Sequence, residues 1–437
     1  MNRSVTDLST WPKRQTAPHE IPESSRADLS AKNGERRLVI ATILGGILLA
    51  TGSAVGNLAV WINWVALLAP GQINPANADQ PGDPPKLGKM PPLPVLKPST
   101  LDKGRLAISF KESLGDVAVG GGGRFLILHM VKSRQLAVFD VNEAKVVHEF
   151  PAPAENIAFA AGIDKLVIVL GRHVDRIERW DLNTKKREWT APAPPGVRVV
   201  KAACMGSASR GPVLVQWADD DKDEVALAPV EFLDLENLQP LLLQAKNPKG
   251  QGRLGFVLRD YMNFRASAEG SVFGGWCTSH TPEGAHSYVL DGNKIHIHYQ
   301  HESYGHVIPG TDGKTFYTHG KQLTNELVKA HEGSDFTVPA VRGPYYLRAG
   351  IQLNQDTATI SGFTAYRTGD NRPVLTDADI MLTMHRVEVK HGRLPLDKRV
   401  HFVPDARLLI TIPITNDQLV LNRFDVIEAA QKKAEGK

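Results

Sequence analysis

The chain has 437 residues, 42% hydrophobic and 22% charged, with 7% aromatics, two cysteines and a formal net charge of +4. This is a globular composition, and it excludes wholesale disorder, collagen-like repetition and a disulfide framework. Those residues are distributed unevenly, so the layout is best read in chain order.

Residues 1–37 are polar and rich in Ser and Thr, without periodic apolar positions, and are expected to form a disordered cytoplasmic tail. From Leu38 to Ala78 no residue is charged, and the stretch from Leu38 to Trp61 is apolar or small. A bilayer needs ~20 such residues at helical rise, so 38–66 is predicted as one transmembrane helix. Arg36 and Arg37 precede it, while Trp61 and Trp64 stand at its far end, where amphipathic rings favour the headgroup level. The expected orientation puts the N-terminus in the cytoplasm and exports the C-terminal bulk across the cytoplasmic (inner) membrane. A cleaved signal peptide is the alternative, with Ala76-Asn77-Ala78 resembling a cleavage site, but the apolar run is long and begins late. Gly52 and Gly56 are spaced as G-x-x-x-G, a face through which two such helices can pair into a dimer. The Pro-rich segment 67–103 reads as a stiff, extended linker.

From residue 104 to 428 one unit recurs: a turn, a small, polar or basic residue, then a short apolar or β-prone run. Arg124, Lys165, Arg210, Ser271, Lys314, Thr357 and Arg407 mark its starts. The spacing is that of β-propeller blades, ~40 to 50 residues. An apolar residue followed by Asp keeps phase with the marker at Phe139-Asp140, Trp180-Asp181, Leu233-Asp234, Leu290-Asp291 and Phe424-Asp425. Such an Asp is expected to hydrogen-bond the backbone that follows it and begin a turn. Runs such as FLIL, LVIVL and LLITI suit strands covered on both faces, and no run sustains a helical period. The fold predicted is all-β, a seven-bladed propeller, with six to eight blades as the admissible range and residues 429–437 as a C-terminal tail. Leu106 to Phe110 (LAISF) lacks a partner before the first unit, so it is expected to complete the last blade and close the ring.

The tripeptides Phe139-Asp140-Val141, Trp180-Asp181-Leu182 and Phe424-Asp425-Val426, with the Asp312-Gly313-Lys314 hairpin, resemble the WD-repeat and YVTN-like β-propeller superfamily. The chain looks most like exported, membrane-anchored bacterial propellers, including the sensor-like domains of planctomycete-type kinases. The resemblance implies a fold and a binding role, and it implies no activity.

Eight of the fifteen histidines fall between His280 and His331. His296 and His298 would share one face of a strand, the placement two imidazoles need to bind a metal ion, against a solvated strand as the plainer reading. Asp219, Asp221 and Asp223 echo a calcium loop, but Glu224 and Val230 stand where Gly and Glu are required, which leaves an exposed hairpin tip. Gly310 to Thr315 lacks the spacing and the helix of a phosphate loop, and Gly120 to Gly123 reads as a flexible turn. Cys204 and Cys277 are either a disulfide on the exported side or two small buried residues. No nucleophile elbow is present, and near-neutral charge from residue 101 onward argues against nucleic acid as a partner. No catalytic, cofactor-binding or metal-ligating residue is therefore assigned. The expected function is an extracytoplasmic binding or scaffolding module, taking a protein, peptide or glycan at the propeller face. An exported propeller hydrolase, lyase or quinone-dependent dehydrogenase is the alternative.

Overall fold

The structure is a computed structural model that describes residues 92–97, 101 and 104–424, apart from 155, 172–173, 194–198, 219–229, 247–261, 278–283, 355–356, 370–371 and 386–393. The chain divides into two units, Met1–Gln80 and Pro81–Lys437, and all described residues belong to the second. The predicted helix with Arg36, Arg37, Gly52, Gly56, Trp61 and Trp64 lies outside the described residues, as do both chain tails and the acidic run from Asp219 to Glu224. Among the described residues no helix is long and apolar enough to cross a membrane.

Strands β1 (Arg105–Ser109), β2 (Leu114–Gly120), β3 (Phe125–Met130), β4 (Gln135–Asp140) and β5 (Lys145–Pro151) open the chain of sheets. They are followed by β6 (Ile157–Ala161), β7 (Lys165–Leu170), β8 (Arg176–Asp181) and β9 (Arg187–Pro192). Next come β10 (Val199–Met205), β11 (Val213–Ala218), β12 (Val230–Leu233), β13 (Gln244–Lys246), β14 (Met262–Ala266), β15 (Val272–Cys277), β16 (Ala285–Asp291) and β17 (Lys294–Gln300). The next stretch holds β18 (Ile308–Pro309), β19 (Thr315–Tyr317), β20 (His319–Thr324), β21 (Lys329–Pro339), β22 (Tyr345–Leu353), β23 (Thr357–Arg367) and β24 (Pro373–His385). The chain ends its sheets with β25 (Val400–Val403), β26 (Leu408–Thr411) and β27 (Gln418–Arg423).

Hydrogen bonding groups these into six sheets: β2 to β5, β6 to β9, β10 to β12, β14 to β17 with β13, β18 to β24, and β25 to β27 with β1. Three sheets depart from four strands: β10 to β12 has three described strands, and two others are larger. Strand β13 leaves its neighbours in sequence and pairs parallel with β17 of the next sheet. The seven-stranded sheet is two repeat units joined through β21, whose first half pairs with β20 and whose second half pairs with β22. In the fifth unit the turn is kept and Thr324 stands where other units have Asp, its Oγ1 accepting from the Glu326 N–H at 3.3 Å; in the sixth, β23 leads into a turn at Thr368 and Gly369. Thr357 begins β23, and the strand that matches the other markers is β22, entered through the turn at Gly343.

The apolar runs are buried on both faces. In β3, Leu126 and Leu128 pack into a core shared with Leu408 and Ile410 of β26, while Ile127 points the other way into a core shared with Leu166 and Ile168 of β7. In β7, Val167 and Val169 face Val213 and Val215 of β11, and Leu214 turns to the core that holds Phe273 of β15. A further core runs from Val272 and Trp276 through Phe316 and Phe363 to Phe402 and Leu409. Successive side chains of a strand point to opposite faces, so each sheet is sandwiched between the one before and the one after, and the succession closes into a ring.

Closure is made where the sequence placed it. Strand β1 pairs antiparallel with β27, Ala107 opposite Val420, so the first strand of the chain completes the last sheet. Strand convergence toward the axis demands small residues. At Gly274 an added Cβ would lie 2.1 Å from the Val307 carbonyl oxygen. The Gly120 to Gly123 run is buried rather than loose, with Gly121, Gly122 and Gly123 all at positive φ, a conformation that strongly favours glycine.

Candidate functional site

At the axis, β2, β6, β10, β14, β18, β21 and β25 each contribute to the wall of one cavity of about 150 Å³. Val117, Val119, Ala160, Ala203, Ala266 and Ala340 make most of that wall apolar. Hydroxyls enter it from Ser207 and Thr311, and charged or basic groups from Arg265 near the end of β14 and from the segment Asp397 to His401 at the start of β25.

Every charge at this site is matched. The Arg265 guanidinium lies 2.6 Å from the Asp397 carboxylate, whose side chain is 1% exposed. Lys398 forms an ion pair with Asp116 of β2. His401 Nε2 lies 2.9 Å from the Lys398 carbonyl oxygen, and burial, reinforced by the nearby Arg265 cation, pushes the imidazole down to about 4. Its ring is therefore neutral at physiological pH. Arg399 is fully buried and donates to the carbonyls of Leu394, Ile412 and Pro413, which fastens this segment to its own sheet. Cys204 also lines the cavity, and burial raises its thiol to about 12. A thiol held protonated is a poor nucleophile.

The cavity is smaller than the ~300 to 1,000 Å³ of ordinary small-molecule pockets. Its polar groups hold one another in place, so their chemical work is to fix the strands around the axis. None of Arg265, Asp397, Lys398, His401 and Asp116 carries a sequence motif, because they come from separate units and meet only after ring closure.

The residues singled out in the sequence have other surroundings. His296 and His298 do share a face of β17, half-buried, and burial lowers the His298 pKa. Other described histidines of that stretch have separate partners. His286 stacks on Tyr288, His301 Nδ1 lies 2.7 Å from the Tyr299 hydroxyl, and His306 packs edge-on against His319 with ring centroids 4.5 Å apart. Among the described residues no group of three or more His, Cys, Asp or Glu is arranged to hold a metal ion. Lys314 N donates to Asp312 Oδ1 in a tight turn between β18 and β19, so a strand follows where a phosphate loop would need a helix. Cys204 and Cys277 lie buried in one core and do not form a disulfide.

The repeating signals meet at the turns on one rim of the ring. Arg124 is 2.8 Å from Asp140, and Lys165 is 3.4 Å from Asp181, so in these two units the basic marker and the later Asp are ion-pair partners, whereas Arg210 pairs with Glu269 at 2.6 Å. Asp140, Asp181 and Asp234 each accept a hydrogen bond from the backbone N–H two residues on, at 2.8, 2.9 and 2.7 Å. That is the turn expected of them. On this rim also lies a segment of the Pro-rich stretch, 92–97, extended and seated against the sheets with Leu96 buried.

No family description and no curated protein matches the chain. Among solved structures it is similar to the β-propeller domain of Cps50 (Swd1) from Myceliophteria thermophila, with 11% identity, coverage of 73% of this chain and 99% of that one, and a TM-score of 0.47. The closed succession of sheets around one axial cavity makes the described part of the chain a β-propeller.

Proposed function

We propose that this protein is a single-pass membrane protein presenting a seven-bladed propeller outside the cytoplasm as a binding or scaffolding module for a protein, peptide or glycan. The observation that carries the binding role is the axial site: a narrow cavity whose charges are all paired leaves the rim as the surface on which a partner can be recognised. A fold by itself does not fix a function. The blade count is supported by the seven strands that line the cavity, with the merged sheet counted as two blades. Membrane anchoring is supported by the charge-free stretch from Leu38 to Ala78 with Arg36 and Arg37 before it and Trp61 and Trp64 after. Gly52 and Gly56 offer a close-packing face for a dimer in the membrane.

Affinity capture of the cross-linked, membrane-extracted protein, followed by mass spectrometry, tests the reading. A chain lacking residues 101–437 serves as the comparison. Partners recovered only with the propeller are expected. Their absence, together with recovery of the chain in the soluble fraction, would overturn both the binding and the anchoring parts.

A further inference from the structure

The segment 92–97 does not behave as a spacer. Arg342 Nη1 donates to the Pro94 carbonyl at 3.1 Å, while its other nitrogen holds Asp405 at 2.5 Å. The Asn142 side chain clamps the next turn of backbone from both sides. Its Nδ2 donates to the Val95 carbonyl at 3.2 Å, and its Oδ1 accepts from the Lys97 N–H at 2.9 Å. Between these clamps Leu96, 7% exposed, enters the core that also holds Val141 and Val403. Gly122 lies beneath the segment, a Cβ there falling at van der Waals contact, 3.5 Å from Pro94 and 3.6 Å from Leu93. Pro92, Leu93, Val95 and Lys97 stay exposed.

This seat reads an extended backbone at two carbonyls and one N–H, and it reads one aliphatic side chain. It joins the segment to no strand ladder, so the contacts are those of a bound peptide rather than of a blade. Proline-rich segments are recognised as peptides because their extended backbone is preformed and costs little entropy to bind. We propose that the seat formed by Asn142, Arg342 and the Leu96 pocket is a docking site for extended proline-rich peptides, with 92–97 as its resident ligand in cis. The occupant it fits from outside is a partner's segment of the same chemistry: proline-rich, with an aliphatic residue at the place of Leu96. The inference rests on the binding-module reading and gives that reading a ligand class. A tethered ligand is present at an effective concentration of ~mM, so a partner's segment must compete with it. The strap thus sets a threshold for docking.

The test uses the full chain and a fluorescent peptide spanning Pro91 to Pro98. A Leu96→Asp chain, with its own strap expelled, is expected to bind the peptide saturably and at least tenfold more tightly than the unaltered chain does. The peptide carrying the same Leu96→Asp change is expected not to bind, and Asn142→Ala added to the Leu96→Asp chain is expected to weaken binding several-fold. Equal binding by both chains, or by both peptides, overturns the proposal. A Leu96→Cys chain guards against misfolding of the charged variant. Its thiol, compared with the unaltered chain to subtract Cys204 and Cys277, should be labelled slowly, and free peptide should accelerate labelling by trapping the vacated seat. No acceleration at millimolar peptide also counts against it. Partners captured by the propeller but undisturbed by the peptide would sink this seat and leave the binding-module reading standing.

Discussion

Asp140 shows how a single residue serves two purposes. Its carboxylate is 1% exposed, receives the Arg124 guanidinium on one oxygen and caps the following turn with the other. Asp140→Ala removes both and leaves Arg124 without its buried counter-charge, so it is expected to cost about 2 to 4 kcal/mol. Asp234 makes only the turn, so Asp234→Ala should cost about 1 kcal/mol. Urea denaturation of the two variants beside the unaltered chain measures the difference. Equal losses would mean that the ion pair contributes nothing.

Buried imidazoles govern the response to acid. Burial pushes His286, His306 and His401 down to about 4 and His319 to about 3, from 6.5. As pH falls below 6.5 the unfolded chain binds protons that the folded chain refuses, so stability is complete above that value and is lost between it and about 4. The limiting slope is about 1.4 kcal/mol per pH unit for each such group. Melting temperature should be level near neutrality and fall steeply through this window, and His319→Asn should make the fall shallower. A level profile down to about pH 4.5 would contradict the buried, neutral state of these rings.

At the scale of elements, two contacts decide whether the ring forms. One is β1 on β27. Ile108 of β1 is half-buried and packs against the core shared by the first and last sheets, so Ile108→Asp is expected to cost about 1 to 2 kcal/mol by replacing that apolar contact at the seam with a charge. Early proteolysis near the two ends of the ring, before the middle sheets, would show that the seam opens first. The other is the close approach at Gly274. Gly274→Ala drives a methyl into the Val307 carbonyl oxygen 2.1 Å away. The strands must separate, and a loss of about 3 kcal/mol or more is expected from such overpacking. A neutral outcome in thermal melting would mean that β15 can shift without cost.

For the whole molecule, the ring was legible in the order of residues because its causes are local. Apolar runs such as LVIVL recur from unit to unit, since each sheet must cover the one before it, and turn-forming Asp marks all but the fifth and sixth units. The unpaired LAISF strand was legible for the same reason, as an edge in need of a partner. The sixth marker falls one strand late at Thr357, because the turn at Asn354 that opens β23 carries the same local signal as the turn that opens β22. Strand β13 was not legible as part of a neighbouring sheet, because three residues carry no information about which edge they will meet. The linker gave its extended backbone but not its seat, since Asn142 and Arg342 lie 45 and 248 residues away from the atoms they hold.

The division follows the range of the forces. Periodicity, turn chemistry and charge-free length act between residues a few positions apart, so the repeat, the all-β fold, the closing strand and the expectation of a membrane anchor can be read from the chain alone. The axial charges, the neutral histidines and the strap depend on residues that closure brings together from different blades. The pairing of Arg265 with Asp397 and the burial that keeps Cys204 protonated exist only once the sheets surround one axis. Desolvation is a property of the assembled ring, and no stretch of sequence carries it.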